Sequence, residues 1–161
     1  MMQTKRCNRL DDFLMKKMLN SEKNYFSDEE RYQAYRNFLR LTTKEGKRIA
    51  ATQTIKKWFG IGGIKRPNRE GLFKIGFDLR LSVKEMEELF VYVMREPGFQ
   101  VNDYREMIFL YGFYHQITYD DCINMIDYLE KSLPGNLSIR QHNCTNDIWE
   151  EYGKNLSLIH I

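Results

Sequence analysis

The sequence predicts an all-α fold whose C-terminal half is a repeated αα-hairpin, and three observations predict it. Proline is scarce, at Pro67, Pro97 and Pro134 only. No stretch alternates apolar and polar residues as a half-buried strand does, and through most of the chain the apolar positions recur at helical spacing. From Arg69 onward the chain matches itself at an offset of 36 residues. With 161 residues, 42% of them hydrophobic and 14% aromatic, there is material for one core of ordinary domain size, which argues for one compact unit over two large domains.

The first helix is expected over Asp11–Leu19, with Leu10, Phe13, Leu14 and Met18 on one face. Ser27-Asp28-Glu29-Glu30 then spells a capping box, in which the serine hydroxyl and the glutamate carboxylate each satisfy a free backbone N–H. A second helix runs from there to about Leu41 and buries Tyr35, Phe38 and Leu39. The basic segment from Thr43 to Ala50 is expected to be helical. Another helix, Gln53 to Phe59, stops at Gly60, which suits a left-handed cap.

The offset of 36 pairs Arg69 with Arg105, Glu70 with Glu106, Phe73 with Phe109, Gly76 with Gly112, Phe77 with Phe113 and Tyr92 with Tyr128. Each copy reads as a helix, a turn at Leu81 or Ile117, an N-cap at Ser82 or Thr118 with an acid three residues on, and a second helix. The buried stripe of that second helix is Met86, Leu89, Phe90 and Val93 in one copy, Cys122, Met125, Ile126 and Leu129 in the other. One such hairpin cannot cover its own apolar face, so two are expected to stack. Phe73, Phe77, Tyr104, Phe109, Tyr111, Phe113 and Tyr114 fall at helical spacing and are expected in the core rather than as base-stacking platforms.

Charge is distributed unevenly. Residues 1–39 carry 8 basic and 6 acidic side chains, residues 40–80 carry 11 and 3, and residues 81–161 carry 6 and 13. The excess of +8 in the middle block fits a phosphate-binding face, a face that meets an acidic protein surface, or a solvated basic helical surface with Trp58 as a core plug. Within it, Gln53, Thr54, Lys56 and Lys57 lie on the polar side of a helix whose Ile55, Trp58 and Phe59 face inward. Glutamine reads adenine, threonine reaches a phosphate or a thymine methyl, and lysines neutralise phosphates.

The order Ile55-Lys56-Lys57-Trp58, Gly60, Pro67, Ile75 to Leu79 and Ser82 resembles the λ-repressor-like (Cro/C1-type) helix-turn-helix DNA-binding domains over about residues 52–90. The family's preceding small residue and turn glycine fall here on Glu45 and Ile49. The resemblance implies a helix-turn-helix-like core, and the self-match at 36 residues adds the repeated αα-hairpin after it. It also implies a recognition helix from Thr52 to Phe59, double-stranded DNA as partner, a bacterial-type transcriptional regulator and a homodimer. The contact residues expected are Lys47, Arg48, Thr52, Gln53, Thr54, Lys56, Lys57, Lys65, Arg66 and Arg69. The alternative is a non-enzymatic helical-repeat adaptor for an acidic protein.

The segments expected are 1–42, an N-terminal helical pair; 43–98, the helix-turn-helix-like core; and 99–135, the second hairpin, all within one compact unit. Residues 136–155 would begin a truncated segment. Leu156-Ser157-Leu158-Ile159-His160-Ile161 looks like the translation of a sequencing adapter, and the natural chain is then expected to continue beyond Asn155.

No run of about 18 apolar residues and no apolar signal core are present, which points to a cytoplasmic protein. Cys7, Cys122 and Cys144 are expected as free thiols. The glycine loop at 60–63 lacks the Lys-Ser or Lys-Thr of a phosphate loop. His142 and Cys144, with His115 or Asp147, are too few for a metal site to be expected. No nucleophile stands with a base and an orienter, so no enzyme, cofactor or metal is expected.

Overall fold

Side-chain oxygens beside the first turns decide where most helices begin in the computed structural model, which describes residues 9–132. Helix α1 is Leu10–Leu19, and α2, Asp28–Thr42, opens with the complete Ser27/Glu30 capping box. Helix α3 is Thr52–Trp58, and α4, Arg69–Asp78, is capped by Asn68, whose side chain accepts the Gly71 N–H at 2.8 Å. The Ser82/Glu85 capping box starts α5, Val83–Glu88, which runs on into a π-turn, Leu89–Val93. Asp103 caps α6, Tyr104–His115, and the Thr118 hydroxyl accepts the Asp121 N–H at 3.1 Å at the head of α7, Tyr119–Ser132. The expected all-α fold is therefore observed: among the described residues the sole β feature is a bridge between Lys44 and Lys47.

Helix ends share one device. Asn20, Gly60, Arg80, Arg95 and Gln116 all take positive φ, and the residue after each donates back to a carbonyl five residues earlier, or six after Arg95, where the π-turn ends. Examples are Leu81 to Gly76 at 2.9 Å and Ile117 to Gly112 at 3.1 Å. This closure satisfies carbonyls that the helix leaves without partners. Arg80 and Gln116, 36 residues apart, have the same φ of 54°.

The helix expected over Thr43–Ala50 is not there. The chain leaves α2 at Thr43, and Lys44 and Lys47 exchange two backbone hydrogen bonds of 2.9 and 2.8 Å across a two-residue turn. Both central residues, Glu45 (φ 51°) and Gly46 (φ 76°), sit in the left-handed region that such turns require. Thr43 to Arg48 carries no apolar stripe, so a helix here would have no burial to offset its nucleation cost.

The 36-residue repeat is visible in the packing. Equivalent rings of the two copies stack on one another: Phe73 on Phe109 at 4.6 Å between centroids, and Phe77 on Phe113 at 4.0 Å. Gly76 lies against Met86 and Gly112 against Cys122, again equivalent pairs, and a Cβ on either glycine would collide with the facing sulfur. Helix α4 packs on α7 and α5 on α6, while α1 packs on α2 and on the π-turn. One continuous core results, from Leu10 to Ile126. The seven aromatics assigned to packing are in it or half-buried at its edge. Of the second stripe, Cys122 and Ile126 are fully covered, and Met125 and Leu129 half-covered. Burial pushes the Cys122 thiol up to about 12.

Two tests follow from this packing. Gly112→Ala should cost about 1–3 kcal/mol by overpacking, and Cys122→Ala in the same chain should restore part of that loss. A urea-denaturation double-mutant cycle reads the coupling, and simple additivity would contradict the proposed contact. Separately, burial and a neighbouring carboxylate (Glu130 for Tyr104, Glu70 for Tyr119) push both phenols up to about 12. Their neutral forms are favoured by folding, so this stabilisation is complete below the unfolded tyrosine pKa near 10 and is lost as pH climbs towards 12. Absorbance titration at 295 nm should show two late phenols, which unfolding returns to the ordinary range.

Candidate nucleic-acid interface

Helix α3 has only seven residues, no side-chain N-cap and no acid in its first turn, so its own propensity does not hold it. It is held from inside. Ile55, Trp58 and Phe59 are buried, with Phe38 edge-on to Trp58 at 6.1 Å and to Phe59 at 5.4 Å. Gly60 (φ 74°) ends it, and Arg31 of α2 clamps that end by donating to the Phe59 carbonyl at 2.9 Å and to the buried Asp11 carboxylate at 3.1 Å. The Trp58 indole N–H is buried with no hydrogen-bond partner among the described residues.

On the outer side, Gln53 is exposed while Thr52, Thr54, Lys56 and Lys57 are half-buried. The Lys56 ammonium stands over the Tyr35 ring of α2, 5.7 Å from its centroid. Lys57 runs its methylenes along the Gly63 backbone, and the Lys65 N–H reaches the Lys57 carbonyl at 3.4 Å. Lys47 and Arg48, after the tight turn, are exposed, as is Lys65. Lys44, on the near side of that turn, bonds Asp78 at 2.7 Å; burial raises the Asp78 carboxyl pKa against the pull of this lysine.

Two arginines selected from the sequence are engaged in the fold. Arg66 donates to the Met94 carbonyl at 2.5 Å. Arg69 is more fully engaged: its Nε and Nη2 hold the two Glu106 oxygens at 2.7 Å each, Nη1 reaches the Pro97 carbonyl at 2.9 Å and Nη2 the Gly98 carbonyl at 2.7 Å. Its plane lies 4.3 Å from the Phe90 centroid, and Glu106 holds the guanidinium pKa above its ordinary value. Those donors are not available to a phosphate.

Two further basic residues join the face. Arg36 and Arg40 lie on the exposed side of α2, and Arg36 follows the Tyr35 on which Lys56 rests. Their four-residue spacing, on the side opposite Ala34, Tyr35 and Phe38, is the signal in the sequence that marks them. Between residues 36 and 66 the chain carries nine Lys and Arg (Arg36, Arg40, Lys44, Lys47, Arg48, Lys56, Lys57, Lys65, Arg66) and one acid, Glu45. Of the nine, Lys44 alone reaches a carboxylate among the described residues.

The connection between α2 and α3, residues 43–51, is nine residues long. The usual helix-turn-helix turn has about three or four. Glu45 and Ile49, where the family has its small residue and turn glycine, both fall in this connection. Among the described residues no group of three or more His, Cys, Asp or Glu can hold a metal ion, and no helix is long and apolar enough to cross a membrane. His142, Cys144 and Asp147 lie outside the described residues, as does everything expected beyond Ser132. Comparison with protein-family models, with curated proteins and with solved structures finds no match.

The Arg69 cluster carries its own test. Arg69→Ala strands Glu106, whose side chain is 9% exposed, without its cation, and should cost about 3 kcal/mol or more. Arg69→Lys should recover only part of this, because an ammonium cannot replace the planar fork. The urea midpoint measures both, and an unchanged midpoint for Arg69→Ala would overturn the structural role.

Proposed function

We propose that the protein binds double-stranded DNA through the basic face built from the outer side of α2, the 44–47 turn, α3 and Lys65, in the manner of a small transcriptional regulator. One observation carries the reading: nine cations and a single acid between residues 36 and 66, with eight of the nine not matched to a carboxylate among the described residues. Such charge without carboxylate partners is self-repelling, and a polyanion relieves it by releasing its own counterions. Lys47, Arg48, Lys56, Lys57 and Lys65 are the five phosphate contacts in this reading, and Arg36 and Arg40 lie on the same face. Arg69 is not among them.

The lysines of α3 are point charges at the ends of flexible stems, suited to phosphates rather than to base edges. Their anchoring supports the same role. The helix beneath them is pinned by Trp58, Phe59 and the Arg31 clamp, so the charges are presented from a rigid base.

Fluorescence anisotropy of a labelled mixed-sequence duplex at two salt concentrations tests the proposal. Phosphate binding falls with salt at a log–log slope of about −0.9 per contact, so five contacts predict a loss of roughly a hundredfold on tripling the salt. Lys56→Glu/Lys57→Glu should weaken binding at least tenfold. Absence of binding at low salt, or equal binding by the variant, would remove DNA and leave the adaptor for an acidic protein as the reading to pursue.

A further inference from the structure

Helix α2 has a second face whose side-chain hydrogen bonds, among the described residues, stay within the helix. Its inner side, Ala34, Tyr35, Phe38 and Thr42, is buried, whereas Gln33, Arg36 and Arg40 are exposed and Asn37 half-exposed along the opposite side. At spacings of three, four and seven residues these four form one stripe. The stripe is also ordered. The Gln33 side-chain amide donates to the Asn37 carbonyl oxygen at 3.2 Å, and the Arg40 guanidinium donates to the same oxygen at 3.3 Å.

We infer that α2, rather than α3, is the helix that reads base edges, with Gln33, Asn37, Arg36 and Arg40 as the specificity-determining side chains and duplex DNA as the ligand. The inference rests on the DNA-binding reading above and divides the labour within it. Glutamine and asparagine bond adenine bidentately in the major groove, and arginine does so to guanine, so the stripe consists of the residue types that direct readout uses. Helix α2 has 15 residues, about 22 Å at 1.5 Å per residue, enough to lie along a groove about 12 Å wide.

Helix α3 lacks these properties. It is seven residues long, and of its five polar residues only Gln53 is exposed. Lys56 is drawn back over the Tyr35 ring of α2, 5.7 Å from its centroid. That position suits a cation that meets the phosphates flanking a groove already entered by α2, and Lys47 and Arg48 follow α2 in the chain. Asp28 and Glu29, exposed in the first turn of α2, line one hollow with Gln33 and Arg36 and repel phosphates at that end, so the phosphate contacts fall towards Arg40 and the 44–47 turn.

The test selects duplexes from a randomised 20-base-pair pool with the full chain, then measures by anisotropy the affinity ratio between the best selected duplex and its shuffled counterpart. Gln33→Ala/Asn37→Ala should shrink this ratio about tenfold or more while changing affinity for the shuffled duplex less than about twofold. Gln53→Ala/Thr54→Ala should leave the ratio intact, and Lys56→Glu/Lys57→Glu should weaken both duplexes alike. Circular dichroism confirms that the variants keep the wild-type fold, which these outward positions do not support. A ratio insensitive to Gln33→Ala/Asn37→Ala, or one that collapses with Gln53→Ala/Thr54→Ala, would overturn the assignment and leave DNA binding standing. Salt-sensitive binding with no selected sequence would do the same. No binding at low salt would defeat the DNA-binding reading itself, and this assignment with it.

Discussion

The Arg69 guanidinium is the constraint on which the C-terminal half depends. It joins three pieces of chain that local propensity leaves independent: the head of α4, the turn after α5 at Pro97 and Gly98, and Glu106 in the first turn of α6. Glu106 in turn accepts the Gln100 N–H at 3.0 Å, so the 97–106 segment is held from both ends. Only a planar, always-charged fork makes these bonds at once while lying on Phe90. With α4 and α6 set in this way, Phe73 meets Phe109 and Phe77 meets Phe113, ring on ring.

A second tie, at Asp11, organises the N-terminal half. Its buried carboxylate receives both Arg9 and Arg31, and Arg31 goes on to the carbonyl at the end of α3. The basic face is thereby mounted on the core rather than on a loose loop. The distribution of acids completes the picture. Glu30 and Glu85 serve capping boxes, Asp103 caps α6, and Asp11, Asp78 and Glu106 are in ion pairs with Arg9 and Arg31, Lys44 and Arg69. Arg36, Arg40, Lys47, Arg48 and Lys65 are left exposed, with no carboxylate ion pair among the described residues.

The two halves of the molecule thus divide charge and packing between them. In the repeat, arginine and glutamate are spent on one another and aromatic rings fill the space. Around α3 the rings lie beneath and the cations outside. The DNA contact we propose rests on that separation, and so does the proposed division between a phosphate-contacting α3 and a base-reading α2. Among the described residues, the exposed stripe of amides and arginines on α2 hydrogen-bonds only within its own helix.

Most elements were legible from local signals, because caps, turn residues and apolar spacing act over a few residues. The Ser27 and Ser82 boxes, the glycine end of α3 and the buried stripes of α2 and α5 all belong to this class. The 36-residue repeat was legible too, since equivalent positions face equivalent neighbours. Three things were not. The 44–47 turn looked helical because its basic residues tolerate a helix, whereas the absence of an apolar stripe and the left-handed Glu45-Gly46 pair settled the matter. Arg69 looked like one more member of a basic cluster, since its charge is a property of the residue and its partner is 37 positions away. Arg36 and Arg40 lay outside the segment that the family resemblance drew attention to. The sequence by itself determined the helical class, the repeat and the local excess of positive charge. Which cations face solvent and which are consumed inside was decided by tertiary structure, because charge is local and pairing is not.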